Sequence, residues 1–567
     1  MNRRINVSLF AAAMCLSFGL LTGCGSNSNN TKTATSTYVY YASGQESIND
    51  GPNYYAVVGA VTIDANGNIT GGEQDYNDAY GITATDTIQA GKQALVVDPT
   101  TGVGTLTITT ADTLVGVNGV ETFAVQFANV NHALISQFDG TSTSSGSFDL
   151  QTATNASGNF SFAASGVDGD YNSIDFGGVY SVASGALAGV IDVNDDGDVM
   201  TGNSFSATST SPDAFGRMQL TGITNPVSTT GITFAVYVVG PEVVRFIDID
   251  ADDSAVGSAY GQGSSTTFTS ASLGSSVFGL LGQWDTQYAT LGQFSTDGNG
   301  NFTAGMADDN EMDNEVQELG DSLAGSTYTL SSTTNGYGAI SLAWGSAAEN
   351  VVDLGVYMVD PKLNINDPNN TTTDVGGALV ADMDSMAGGV GVITPQTDTT
   401  AADFNGSYAA GFQEYNEFNP CGYCELDMVG PFTMSNGTLS TAAIGADVSD
   451  PFGTWSGTAS ESTGNVFTST PLSVTAGYFS MSQLNTTPNQ LAATINGLGP
   501  GIFDADIYQA SATTLYWVEF DSNGVFLGPL EQQGSLTALP AVMKPVMKIQ
   551  PKQNNLKPIK GLGGTVR

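Results

Sequence analysis

Residues 134–151 read Leu-Ile-Ser-Gln-Phe-Asp-Gly-Thr-Ser-Thr-Ser-Ser-Gly-Ser-Phe-Asp-Leu-Gln, and their frame, Asp139-x6-Gly146-x4-Gln151, occurs three more times. It returns as Asp250…Gly257…Gln262, Asp384…Gly391…Gln396 and Asp521…Gly528…Gln533, with both spacings unchanged. Each Asp closes a short apolar run: Leu134 to Phe138, Val244 to Ile249, Leu379 to Met383 and Tyr516 to Phe520. One strand earlier lie Phe123-Ala124-Val125, Phe234-Ala235-Val236-Tyr237 and Leu354-Gly355-Val356-Tyr357, with a looser counterpart at Ile507-Tyr508. Short alternating apolar runs bounded by Asx-Gly and Ser-Gly pairs are the pattern of β-hairpins. The four Asp and four Gln residues of the frame are therefore expected to be structural.

The segment ahead of the frame repeats as well. Gly59-x4-Asp64-Ala65-Asn66-Gly67-Asn68…Gly72-x2-Asp75-x-Asn77 matches Gly292-x4-Asp297-Gly298-Asn299-Gly300-Asn301…Gly305-x2-Asp308-x-Asn310 at one constant offset. Weaker versions surround Asp196-Gly197 and Asn436-Gly437. Repeats of this length are whole β domains, with boundaries at 37–152, 158–263, 276–397 and 404–534. Each holds about eight strands joined by short turns. The expected fold class is all-β: four tandem antiparallel β-meander domains, each closing into a small up-and-down barrel, with β-sandwiches as the alternative. The Cys…Trp…Cys pattern of an immunoglobulin sandwich is absent, and no helical stripe stands out. The reading sets the four domains in series.

Charge is sparse and lopsided. Residues 25–543 hold all 55 acidic side chains against Lys32, Lys92, Arg217, Arg245 and Lys362, while residues 544–567 carry six basic side chains and no acid. So acidic a body repels phosphate, which excludes nucleic acid as a partner. Lys and Pro alternate in the tail at 538–567, which reads as a disordered, basic terminus.

The N-terminus carries Met1-Asn2-Arg3-Arg4, an apolar run from Val7 to Leu21, and then Thr22-Gly23-Cys24-Gly25. This resembles a bacterial lipoprotein signal peptide, 1–23, with Cys24 as the lipidated residue. The resemblance implies a diacyl and N-acyl (palmitate-type) anchor and, since Gly25 is not Asp, export to the outer membrane. The polar stretch 24–36 reads as a flexible tether. The expected location is thus the cell envelope, lipid-anchored at the outer membrane, facing the periplasm or the surface. The repeats themselves are similar to uncharacterised tandem β repeats of secreted bacterial proteins, a likeness that brings no activity with it.

Candidate chemistry is thin. Asp192, Asn194, Asp196 and Asp198 sit at the oxygen-ligand spacing of a calcium loop, and Asp308, Asp309 and Glu311 form a second acidic cluster. Calcium is the one cofactor these residues suggest. Asx residues beside Gly are equally the chemistry of tight hairpins, which needs no ion. Cys421 and Cys424 are expected to form a disulfide in an exported protein. His132 is the only histidine and lies in a strand pattern with no nucleophile motif beside it. No phosphate loop, dinucleotide fingerprint or metalloprotease motif is present, so the expectation is a protein that is not an enzyme. It would serve a binding, adhesive or structural role, with the membrane, envelope polymers or surface ligands as partners. The alternatives are a small-ligand carrier with apolar pockets inside the barrels and, below that, a carbohydrate-active enzyme.

Overall fold

In the frame hairpin of the first repeat, the closing strand Ser142–Leu150 doubles back to pair antiparallel with the opening strand Thr35–Glu46. The same pairing of last strand with first recurs between Ser254–Gly261 and Gly158–Val167, Gly388–Pro395 and Ser276–Gln283, and Gly524–Gln532 and Gly406–Asn416. The computed structural model describes residues 35–539, apart from 48–52, 79–80, 228–230, 252, 265–266, 284–286, 313–316, 331–334, 345–349, 417–423, 436–437, 451–452, 460–477, 486–501, 520–523 and 538. Cys24, Cys421, Asp521 and nearly all of the basic tail lie outside the described residues.

The fold is all-β, and each repeat is one antiparallel sheet. The second repeat is a closed eight-stranded up-and-down barrel. The first and third are nine-stranded sheets in which single bridges, Ile88–Thr110 and Asn301–Thr327, tie one edge back towards the other. The fourth is an eight-stranded sheet, so among the described residues the expected barrel closes fully in the second repeat, and the other three are barrel-like sheets whose ladders stay open.

Side-chain alternation decides what fills each barrel. In Thr35–Glu46 the residues Tyr38, Tyr40 and Ala42 point into the first barrel's core, while Val39 joins an apolar cluster outside it. The interiors are aromatic: Tyr38 stacks on Phe148 with centroids 4.5 Å apart, Phe234 meets Phe246 at 5.0 Å, and Phe412 stacks on Phe526 at 4.6 Å. The outer faces are also apolar, and that is where the structure departs from domains strung in series. One exterior cluster joins Val58 of the first repeat to Tyr237 of the second and Tyr357 of the third. Another joins Leu291 to Val518 across the third and fourth, and a third joins Leu134 to Val429 across the first and fourth. The four barrels close into a ring.

The frame glutamines are the staples of that ring. Gln151 Nε2 donates to the carbonyls of Phe215 and Val238 in the next barrel, both at 2.7 Å. Gln262 Nε2 donates to Asn335 and Met358 of the third barrel, and Gln396 Nε2 to Gln509 of the fourth at 2.9 Å. Gln533 Nε2 completes the circuit on Thr101 and Phe127 of the first barrel. A second staple is built from Asn77, Asn194 and Asn310, which hold the carbonyls of the next barrel's frame turn. Asn77 Nδ2 reaches Asp248 and Asp253, Asn194 Nδ2 reaches Asp382 and Asp384, and Asn310 Nδ2 reaches Glu519 and Gly524. Buried amides that satisfy several carbonyls at once specify position as well as strength.

The frame glycines mark where closing and opening strands cross. A Cβ on Gly146 would lie 1.9 Å from the Tyr41 carbonyl oxygen, one on Gly257 2.2 Å from that of Ala163, and those on Gly391 and Gly528 1.9 Å from Gly279 and Gly411. No side chain fits there without moving the backbone. We expect Gly146→Ala to cost about 1–3 kcal/mol by overpacking. Gly274→Ala, which meets nothing within 4 Å, should stay within about 0.5 kcal/mol of the native protein. Urea midpoints of the two variants check this, and equal midpoints would contradict the crossing.

Candidate functional site: the cavity at the centre of the ring

The faces that the four frame hairpins turn towards one another enclose a cavity of about 320 Å³. Every repeat contributes to its wall: Tyr41, Ser145 and His132 from the first, Ser165, Arg245 and Tyr260 from the second, Leu281 and Val390 from the third, Met428 and Glu531 from the fourth. Three of the four frame glycines, Gly146, Gly257 and Gly391, line the cavity themselves.

One end is closed by chain from the third repeat. Its strands Asn350–Met358 and Ala378–Asp382 are joined by a long excursion, 359–377, where the first repeat turns directly from Val120–Asn129 into His132–Gln137. Tyr260 donates to the Ile365 carbonyl at 2.8 Å, and Asn366 Nδ2 donates to the Tyr516 hydroxyl. Asn129 Nδ2 donates to Asp367 Oδ2 at 2.7 Å, and Thr514 Oγ1 to Asp374 Oδ2 at 2.9 Å. The excursion thereby touches the other three repeats.

Beneath it sits a buried ionic cluster. His132 Nδ1 lies 2.6 Å from Asp149 Oδ1, and Nε2 lies 3.0 Å from Glu531 Oε2. The Arg245 guanidinium contacts Asp149 Oδ2 at 2.7 Å and donates to Ser258 Oγ at 2.6 Å and the Tyr260 hydroxyl at 2.7 Å. It also stands 4.6 Å over the ring of Tyr41 and 5.5 Å from that of Tyr260, as a cation over an aromatic face. His132, Asp149 and Arg245 are all at most 2 % exposed. Burial alone would raise Asp149, but Arg245 and His132 outweigh it and hold the carboxyl down at about 2. Burial opposes the charged form of His132 too, yet the carboxylates of Glu531 and Asp149 raise it well above the usual histidine value. Both imidazole nitrogens thus face carboxylates. Sequence reasoning passed over this cluster. Its signal was an arginine inside an apolar strand, Val243-Val244-Arg245-Phe246-Ile247, in a body with only two arginines.

The other arginine does similar work at a joint. Arg217 Nε and Nη2 grip Asp75 at 2.6 and 2.7 Å, and the Tyr237 hydroxyl adds a third contact at 2.7 Å. The residues read as calcium ligands occupy the same joint in later copies. Asp192 accepts from the hydroxyls of Tyr357 at 2.7 Å and Tyr337 at 2.9 Å and from the Gly202 amide at 2.6 Å. Asp308 accepts from Tyr508 at 2.8 Å and the Gly320 amide at 2.6 Å. Asn194 is the staple already described. Asp196, at φ 50°, and Gly197, at φ 86°, form the hairpin turn that leads to Asp198. Asp309 accepts from Thr290, and Glu311 ends the strand Phe302–Glu311. Among the described residues no three acidic, histidine or cysteine groups are placed to hold a metal. Of the frame aspartates, Asp139 caps its own turn through the amides of Thr141 and Ser142 at 3.0 and 3.2 Å. Asp250 accepts from the Thr233 amide and Asp384 from that of Met386 at 3.1 Å. Cys424 opens the strand Cys424–Ser435, and Cys421, its expected disulfide partner, is outside the described residues.

Several buried carboxyls have no cation beside them among the described residues, and burial favours their protonated form; Glu46 and Glu121 lie on the inward face of the first sheet, held by Tyr76 and Gln74. Burial pushes Glu46, Glu121 and Asp175 up to about 8 and Asp382 to about 7. Glu425 and Asp427, two residues apart in a single strand, are raised by burial as well; Asp427 raises Glu425 further, while hydrogen bonding from Thr143 and Glu425 partly offsets the rise at Asp427. Such a carboxyl contributes fully below its unfolded pKa, about 4, and its contribution is lost as pH climbs towards 8. Raised His132 acts in the same direction above about pH 6.5. Asp149 acts oppositely, losing its contribution as pH falls from about 4 towards 2. The thermal midpoint should therefore peak near pH 4–5 and fall steadily to pH 8. Differential scanning calorimetry across that range tests it, and a midpoint rising from pH 5 to 8 would contradict the assignment.

No family model matches the chain, and no curated protein does either. Among solved structures, a Nitrosomonas europaea protein, a suggested AttH, aligns with 66 % of this chain and 98 % of its own length. The identity is 10 % and the TM-score 0.16, a likeness that carries no argument.

Proposed function

We propose that the protein is a lipid-anchored binding protein of the cell envelope, with its ligand site in the central cavity. The supporting observation is the meeting of all four repeats around that single space. A volume of about 320 Å³ falls in the range of small-molecule sites, which combine apolar walls with a few fixed polar groups. Here the walls are Leu281, Val390, Met428 and their neighbours, and the polar groups are Ser145, Ser165, Tyr41 and Arg245. The Arg245 Nε–H is buried without a partner among the described residues, so a ligand acceptor atom would satisfy it. Arg245 and His132 are balanced by Asp149 and Glu531, which favours a neutral, hydroxyl- or carbonyl-bearing ligand over a strongly charged one. The role is non-enzymatic in this reading, because the one histidine is spent on two carboxylates.

The anchor is Cys24, with the polar segment after it as the tether, and the Cys421–Cys424 disulfide belongs to the same exported setting. Two measurements test the proposal. Wild-type protein should sediment with the outer-membrane fraction, and Cys24→Ser should move it to the soluble fraction; unchanged sedimentation would overturn the anchor. Native mass spectrometry of protein purified from its own envelope should show a small-molecule adduct that Ser165→Phe, filling the cavity, abolishes. An adduct that survives Ser165→Phe would overturn the central site.

A further inference from the structure

The chain that follows each frame glutamine does a second job: it plugs the end of the next barrel. After Gln262, Phe268 and Leu273 enter the core of the third barrel, each 1 % exposed. After Gln396, Phe404 packs at 5.1 Å from the ring of Tyr408 and 6.4 Å from that of Phe432 in the fourth. After Gln533, Leu536 and Leu539 enter the core of the first, which is how the end of the last repeat seals the beginning of the ring. After Gln151 the segment reads Thr-Ala-Thr-Asn-Ala-Ser, and the residues it lends to the second barrel are only Ala156 and, less deeply, Ala153.

The second barrel is also the one whose sheet closes fully, and the space that its plug leaves unfilled is there. A cavity of about 280 Å³ opens at that end, lined by Phe160, Tyr180, Leu187, Met218, Leu220 and Val244. Its rim is polar and exposed, formed by Asn155, Ser157, Ser184, Thr210 and Ser211. Packed interiors do not keep voids of this size without cost, because their walls forfeit dispersion contacts. Concave apolar spaces of this size with a few polar groups at the edge are the usual form of small-molecule sites.

We propose that the mouth of the second barrel is a binding site for a small apolar molecule of one or two rings, which takes the place that Phe268 and Leu273, or Leu536 and Leu539, fill in neighbouring barrels. The site is separate from the central cavity, so it goes beyond the function proposed above, and either can fail without the other. Its selectivity follows from its wall: aromatic and branched side chains without a charged group favour uncharged, ring-shaped ligands, and the polar rim admits one hydroxyl or amine at the open end.

The test uses the full-length protein and N-phenyl-1-naphthylamine as the probe, read by its fluorescence enhancement. The wild type should bind one equivalent saturably. Ala156→Phe, which restores the missing plug, should weaken binding at least tenfold and leave the thermal midpoint unchanged or higher. Met218→Phe, which fills the same space from the wall, keeps the test decisive if Ala156→Phe does not fold. Leu539→Ala, which opens the corresponding end of the first barrel, should add a second equivalent. Wild-type protein that does not bind the probe, or filled variants that bind it as the wild type does, would overturn the proposal. The central site is tested by Ser165→Phe, which should leave probe binding at the barrel mouth untouched.

Discussion

A side-chain amide reaching the carbonyls of the next barrel is the interaction on which this structure depends. Gln151, Gln262, Gln396 and Gln533 each leave the last strand of their own sheet and donate into the strand that precedes the frame hairpin of the following one. Because Gln533 returns to the first repeat, the four contacts form a circuit. A linear array would leave two outer faces and one row of carbonyls exposed. Closure buries them, and the apolar exterior clusters then have a reason to exist. The central cavity, the cap over its end, the plug segments and the burial of Asp75 and Asp149 at the joints go with it.

Burial sets the electrostatics. A chain this acidic, folded into a ring whose sheet interiors and joints are dry, places carboxyls where water cannot solvate them. The protein uses three devices. Its two body arginines go to joints, on Asp75 and Asp149. Tyrosine hydroxyls donate to Asp75, Asp192 and Asp308 at matching positions. Glu46, Glu121 and Asp175 are left in their protonated form. The cost of the first device is high if one partner is lost, since a buried charge without its counter-ion is strongly destabilising. This is a reason for His132 and Arg245 to be fixed by several groups each.

Much of this was legible in the residues, and some of it was legible in more than one way. The constant spacing of Asp, Gly and Gln pointed to four repeated antiparallel sheets, because hairpin geometry demands its residues at set positions. The neighbours of each barrel were harder to see, since packing of one sheet's exterior on another leaves no spacing rule. A trace existed at Asn53–Asp64, whose continuous apolar run from Tyr54 to Ala60 is buried on both faces instead of alternating. Asp192 and Asn194 were read as ion ligands because the side chains that bind an ion are also the side chains that bind hydroxyls and carbonyls. The homologous pairs Asp75–Asn77 and Asp308–Asn310 show the same joint in three copies, with the Asn amide on the next repeat's carbonyls each time. His132 looked isolated because its partners, Asp149, Arg245 and Glu531, come from three different repeats.

The central claim is that four barrels form a closed ring and not a chain of independent domains. Small-angle X-ray scattering on residues 35–539 measures it directly. A closed, compact ring of this length has a radius of gyration of about 24 Å. Four barrels of about 14 Å each, strung in a line, would exceed roughly 30 Å, and that result would contradict the account.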